Sequence, residues 1–87
     1  MRLLLDTHTF LWWLDGDRRL PPRVRRQGRQ GFSELDITVR HAEHAGRLAG
    51  THRDPFDRML IAQAQLERVP IASGDEVFEE YGIPLFW

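Results

Sequence analysis

The chain has 87 residues, 41% of them hydrophobic and 29% charged, with no cysteine and a formal net charge of −1. That composition fits one small folded domain over residues 1–87. It excludes a disulfide framework, a thiolate metal site and a protein held on nucleic acid by bulk positive charge. No apolar run is long enough to span a bilayer and the opening residues do not read as a secretory leader, so the sequence is expected to be cytoplasmic, with no membrane partner.

Taken in chain order, Leu3-Leu4-Leu5 stops abruptly at Asp6. This is the pattern of a buried parallel strand that delivers an acid to its carboxyl end, where ligands bind in open α/β sheets. Thr7 reads as the N-cap of a helix carrying Phe10, Leu11, Trp13 and Leu14, and Asp15-Gly16-Asp17 ends it. Leu20-Pro21-Pro22 restarts the chain into a short helix through Val24. The stretch from Arg23 to Gly31 has almost nothing apolar after Val24 and reads as a linker or a loosely held helix end.

Leu35-Asp36-Ile37-Thr38-Val39 has the β propensity of a short strand, and Arg40 to Gly50 reads as a helix capped by Thr38. Asp54-Pro55-Phe56-Asp57 opens the best-signalled helix, with Asp54 as N-cap, Pro55 at the first helical position and Asp57 in the first turn. Pro70-Ile71-Ala72 reads as a strand, Asp75 to Tyr81 as a short helix and Ile83 to Trp87 as a last strand. The alternation from Leu35 onward predicts an α/β fold with a mostly parallel sheet.

Asp6 and Asp75 each follow a predicted strand, and Asp57 lies at a helix start that can approach the same sheet edge. Carboxylates gathered there repel one another, and a hard divalent cation, Mg²⁺ or Mn²⁺, relieves the repulsion through oxygen ligands. Such an ion can activate water and stabilise charge on a phosphodiester. Each acid also has a plainer explanation as a turn or helix cap, and for Asp54 the cap is preferred; the pattern leaves both readings open for the others.

His41 and His44 stand at i, i+3, a spacing open to metal binding, but with no obvious third ligand; solvated helix histidines are commoner. His8 and His52 flank acid positions without a serine or cysteine arranged for nucleophilic catalysis. Trp12 and Trp13 read as packing residues or an interface anchor rather than a base-stacking platform. The arginines from Arg18 to Arg29, with Arg23, Arg25 and Arg26 at their centre, are the only basic concentration, either an RNA-backbone contact or a solvated helix face. A phosphohydrolase with Asp6 as nucleophile is disfavoured, because His8 stands where a second acid is needed and the chain has no lysine.

The opening run through Leu14, the segment His52-Arg53-Asp54-Pro55-Phe56-Asp57-Arg58-Met59-Leu60-Ile61-Ala62-Gln63-Ala64, the run Ser73-Gly74-Asp75 with Phe78 and Tyr81-Gly82, and Trp87 together resemble the PIN-domain toxins of VapC type. The resemblance implies a three-layer α/β/α sandwich and an Mg²⁺- or Mn²⁺-dependent endoribonuclease, the toxin of a type II toxin–antitoxin pair blocked by a cognate antitoxin. It matches Asp6, Asp57 and Asp75 to the family's metal-binding, catalytic acids.

The same resemblance implies a shortening. Between the second helix and Gly31-Phe32 the family carries a further strand and helices that supply a glutamate to the acidic cluster. Here Arg26-Gln27 leads almost directly to Gly31, and Glu34 belongs to the segment after the gap. The fold expected is therefore PIN-like but lacking one strand and its adjacent helices, with impaired activity. A sheet that has lost a strand exposes an edge, which predicts a homodimer or swapped assembly. The competing function is a non-catalytic remnant acting through oligomerisation or antitoxin binding.

Overall fold

A computed structural model describes residues 2–31, 35–49 and 54–87. Its sheet is built from very short strands, β1 (Leu4–Leu5) and β2 (Ile71–Ala72), paired in parallel with Leu4 opposite Ile71 and Leu5 opposite Ala72. A parallel bridge from Leu85 to Ile71 lies on the other side of β2. The β2 strand is therefore the middle of the described sheet and β1 its edge. The expected last strand, Ile83 to Trp87, is reduced to that bridge. Pro84 has no N–H to give to a ladder, and contributes only its carbonyl, which accepts from Ile71 N–H at 3.1 Å.

Side chains alternate across this small sheet and divide the core in two. Leu4 and Ile71 face Ile61, Ala64, Phe78 and Ile83, which come from helix α4 (Pro55–Glu67) and from the 3-10 helix Glu76–Tyr81 with the turn after it. Leu3, Leu5 and Ala72 face Leu20, Val24 and Phe86, with Trp12 and Trp13 packed alongside. Trp12 and Trp13 come from helix α1 (Thr7–Asp15), Val24 from α2 (Pro22–Arg29), Leu20 from the turn between them and Phe86 from the C-terminal segment. Helices thus cover both faces of a parallel sheet, the α/β architecture that the sequence pattern predicts.

Local chemistry decides the helix ends. The N-cap of α1 is Asp6 rather than Thr7, because the Asp6 carboxylate reaches Thr9 N–H at 2.8 Å from an extended backbone. Gly16, at φ 64°, closes the helix in the left-handed region. Of the two readings of the stretch after Val24, linker or helix end, the structure takes the second, with α2 continuing through Arg29. Its inner face needs only Val24 and, one turn on, Gly28, so it carries little apolar signal. A Cβ on Gly28 would lie 2.0 Å from Trp13 Nε1, so the indole of α1 packs directly on the α2 backbone.

Residues 35–38 form no strand; Thr38 instead caps α3 (Val39–Arg47). Ile37 and Val39 are β-branched but 63% and 74% exposed, so no apolar face calls for a strand there. Helix α3 is tied to α4 by side chains. Buried His41 completes a capping box by accepting Thr38 N–H on Nδ1, and its Nε2 approaches Glu67 at 3.4 Å. Arg58 donates to the carbonyls of Ala45 and Leu48 at 2.9 and 2.8 Å, satisfying the end of α3. Asp54 caps α4 as expected, accepting from Phe56 and Asp57 N–H. Helix α3 stops at Arg47 with Leu48 as its C-cap, a little before the stop expected near Gly50; Glu34, Gly50 and His52 themselves lie outside the described residues.

Two glycine substitutions test this packing. Gly28→Ala forces the Trp13 indole aside and is expected to lower stability by about 1–3 kcal/mol in urea denaturation. Gly46→Ala, in α3 with open space around the added methyl, is expected to be neutral or to raise stability by up to about 1 kcal/mol.

Candidate active site

Parallel pairing brings the carboxyl ends of β1 and β2 side by side, and with them Asp6 and the segment Ser73-Gly74-Asp75. Asp6 is 9% exposed. Its Oδ1 accepts from Thr9 N–H, and its Oδ2 accepts from the Ser73 hydroxyl. Ser73, 1% exposed, also accepts from Asp75 N–H through Oγ at 3.0 Å. One buried hydroxyl therefore links the Asp6 carboxylate to the backbone of Asp75. Asp75 is exposed and caps the 3-10 helix, accepting from Val77 N–H at 3.0 Å.

These acids open onto a cleft of about 470 Å³ lined in part by Asp6, Thr9, Ser73 and Asp75. Its other walls are His8, Trp12, Trp87 and Arg19, with Gly74 beneath. A Cβ on Gly74 would lie 3.1 Å from the Trp87 indole, so the glycine lets that ring lie close over the loop between the acids. Trp12 and Trp87 stand 6.1 Å apart at 47°, and the Arg19 guanidinium lies 4.6 Å from the Trp12 ring centroid. Asp17 holds that guanidinium through Nε at 3.1 Å and Nη2 at 2.8 Å, and also accepts Arg19 N–H at 2.9 Å. Arg19's side-chain and backbone hydrogen bonds lower the Asp17 carboxyl to about 2, and Asp17 in turn raises Arg19.

The other residues expected at a site lie apart from this cleft. Asp57 sits in the first turn of α4, half-buried, and does not line it. Arg25 is structural: its Nη2 donates to the carbonyls of Asp17 and Leu20. Arg23 lies over the Phe86 ring at 4.6 Å, and Arg26 is exposed in the last turn of α2. His41 and His44 are not a solvated pair; besides the His41 contacts, His44 Nε2 meets Gln65 Oε1 at 2.6 Å, and Gln65 binds the Tyr81 carbonyl. Among the described residues no three histidine, cysteine or acidic side chains gather in a way that could hold a metal ion.

Asp6 and Asp75 nonetheless suit a hard cation in kind. Both are carboxylates on one water-accessible cleft, each with acceptor capacity beyond its capping bond. Mg²⁺ commonly binds through one or two carboxylates while keeping several waters. Three contributors escaped the sequence pattern. Ser73 carried a signal, since a serine two residues before an acid at a strand end is a local turn former. Trp12 reads in the sequence only as packing or an interface anchor and Arg19 only as part of the basic run, because their pairing is made by the turn after α1.

A model of the PIN domain family matches residues 21–84. The match takes in Asp57, Ser73 and Asp75, while Asp6, Trp12 and Arg19 precede it. No curated protein and no solved structure matches the chain significantly.

Two measurements check the geometry. Ser73→Ala leaves Asp6 Oδ2 and Asp75 N–H without their shared partner and is expected to cost about 1–3 kcal/mol in urea denaturation. A carboxyl NMR titration should place Asp17 near 2, against an ordinary value of 3.8. Because the folded value is the lower one, its contribution is full above the ordinary value and lost as pH falls from there towards 2. Arg19→Ala should return the midpoint to the ordinary range.

Proposed function

The chain belongs to the PIN domain family, a generally nucleolytic and typically divalent-metal-dependent family, and from that premise we propose that it is an endoribonuclease toxin of VapC type. The observation that carries the proposal is the acid pair. Asp6 and Asp75 share one cleft, linked through Ser73, at the carboxyl end of a parallel sheet. In this reading Asp6 and Asp75 hold Mg²⁺ or Mn²⁺, with Asp57, matched to the same role by resemblance, as the third acid. Bound there, the ion supplies charge stabilisation on the phosphodiester and an activated water. Asp6 enters fixed from two sides, so it need not reorganise as charge develops. RNA is the substrate, with Arg23 and Arg26 available for its backbone on the exposed side of α2.

The partners proposed are a cognate antitoxin and a second copy of the chain, as a homodimer or swapped assembly, for a single 1–87 domain working in the cytoplasm. The sheet edge supports the second copy. Among the described residues β1 pairs with β2 alone, which leaves its other side open to a strand from another molecule. No helix among the described residues is long and apolar enough to cross a membrane. A second reading, a non-catalytic PIN domain that acts through oligomerisation or antitoxin binding, is favoured by one observation, the lack of a three-ligand metal group among the described residues.

An RNA cleavage assay with Mn²⁺ decides between the two. Asp6→Asn keeps an oxygen to cap α1 but removes the charge, so it and Asp75→Asn are expected to reduce cleavage by about a hundredfold or more. Wild-type cleavage no greater than that of Asp6→Asn would establish the non-catalytic reading.

A further inference from the structure

We infer that Trp12 and Arg19 form a stacking subsite for a base of single-stranded nucleic acid, beside the acid pair in the same cleft. The inference deepens the nuclease reading and rests on it for the class of ligand. The two adjacent tryptophans have different surroundings. Trp13 turns its indole onto Gly28 and joins α1 to α2. Trp12 is half-buried, lines the cleft that holds Asp6 and Asp75, and carries the Arg19 guanidinium on its ring.

The contacts of Arg19 argue for a stacking surface rather than a phosphate clamp. Nε and Nη2 are directed to Asp17, which also takes the Arg19 N–H, so much of the positive charge is answered locally. That fork holds the guanidinium over Trp12 while the side chain remains 67% exposed, so its flat group is available to a ligand. Bases stack on aromatic rings and on guanidinium planes alike. Trp87, tilted against Trp12 and packed over Gly74, closes the wall on the side of the acids. A base stacked on this column therefore leaves its own phosphodiester next to Asp6 and Asp75. A paired base cannot enter, because both its faces are already stacked within the duplex, so the subsite selects single strands.

Binding measured without turnover tests this. The full chain, in EDTA with no divalent ion, is titrated into a labelled single-stranded oligoadenylate and into an abasic ribose–phosphate oligomer of the same length, read by anisotropy. The base-containing strand is expected to bind about tenfold more tightly than the abasic one. Arg19→Lys keeps the charge and removes the plane, and should abolish most of that difference without altering circular dichroism. Equal binding of the two oligomers, no binding of either, or an Arg19→Lys variant that keeps the full difference each overturns the inference. A base-dependent affinity in a protein that cleaves nothing with Mn²⁺ leaves the subsite standing while the nuclease reading falls, and cleavage without base dependence does the reverse.

Discussion

The carboxylate of Asp6 is held from both ends of the chain at once. Thr9 N–H approaches it from the first turn of α1, and the Ser73 hydroxyl approaches it across 67 residues of sequence from the end of β2. A buried carboxylate is costly unless its oxygens are satisfied, and here the two partners also fix its direction. Because the same hydroxyl accepts from Asp75 N–H, the turn that begins the 3-10 helix is positioned by the bond that closes the sheet end. Strand pairing, the cap of α1 and the spacing of the two acids are thus one structural unit.

So small a sheet can organise the chain because each of its residues faces a committed core. Two residues per strand suffice when Ile71 is fully buried on one face and Ala72 on the other. The larger side chains come from the helices, and close approach comes from small residues, with Gly28 beneath Trp13 and Gly74 beneath Trp87. Polar side chains extend the same order to α3. His41 and Arg58 satisfy its two ends from within the α3–α4 interface.

The candidate site combines two chemistries that seldom share a wall. Hard carboxylate oxygens suited to a hydrated divalent ion line the same cleft as a cation–aromatic surface suited to a flat, polarizable group. Membership of the PIN domain family fixes the general class as nucleolytic. In the proposed reading, the proximity of these two surfaces is what would relate a phosphodiester to the base beside it. Asp57 lies elsewhere, in the first turn of α4.

Read alone, the sequence determined the features that follow from nearest neighbours along the chain. Leu3 to Leu5 ending on Asp6 marked a strand that delivers an acid, Asp54-Pro55 marked a helix start, and Ile71-Ala72 between Pro70 and Asp75 marked the second strand. Parallel α/β order followed from their alternation. Tertiary structure decided what depends on partners distant in sequence. It made Arg25 to Arg29 helical because Trp13 packs on Gly28, and it denied residues 35–38 a strand because no apolar face covers Ile37. It buried His41 and paired half-buried His44 with Gln65, so that both bridge α3 and α4. It separated Trp12 from Trp13, and joined Ser73 to Asp6 and Arg19 to Trp12. Such pairings have no periodicity to reveal them, since a hydrogen bond or a stacked ring is set by where two backbones come to lie in space.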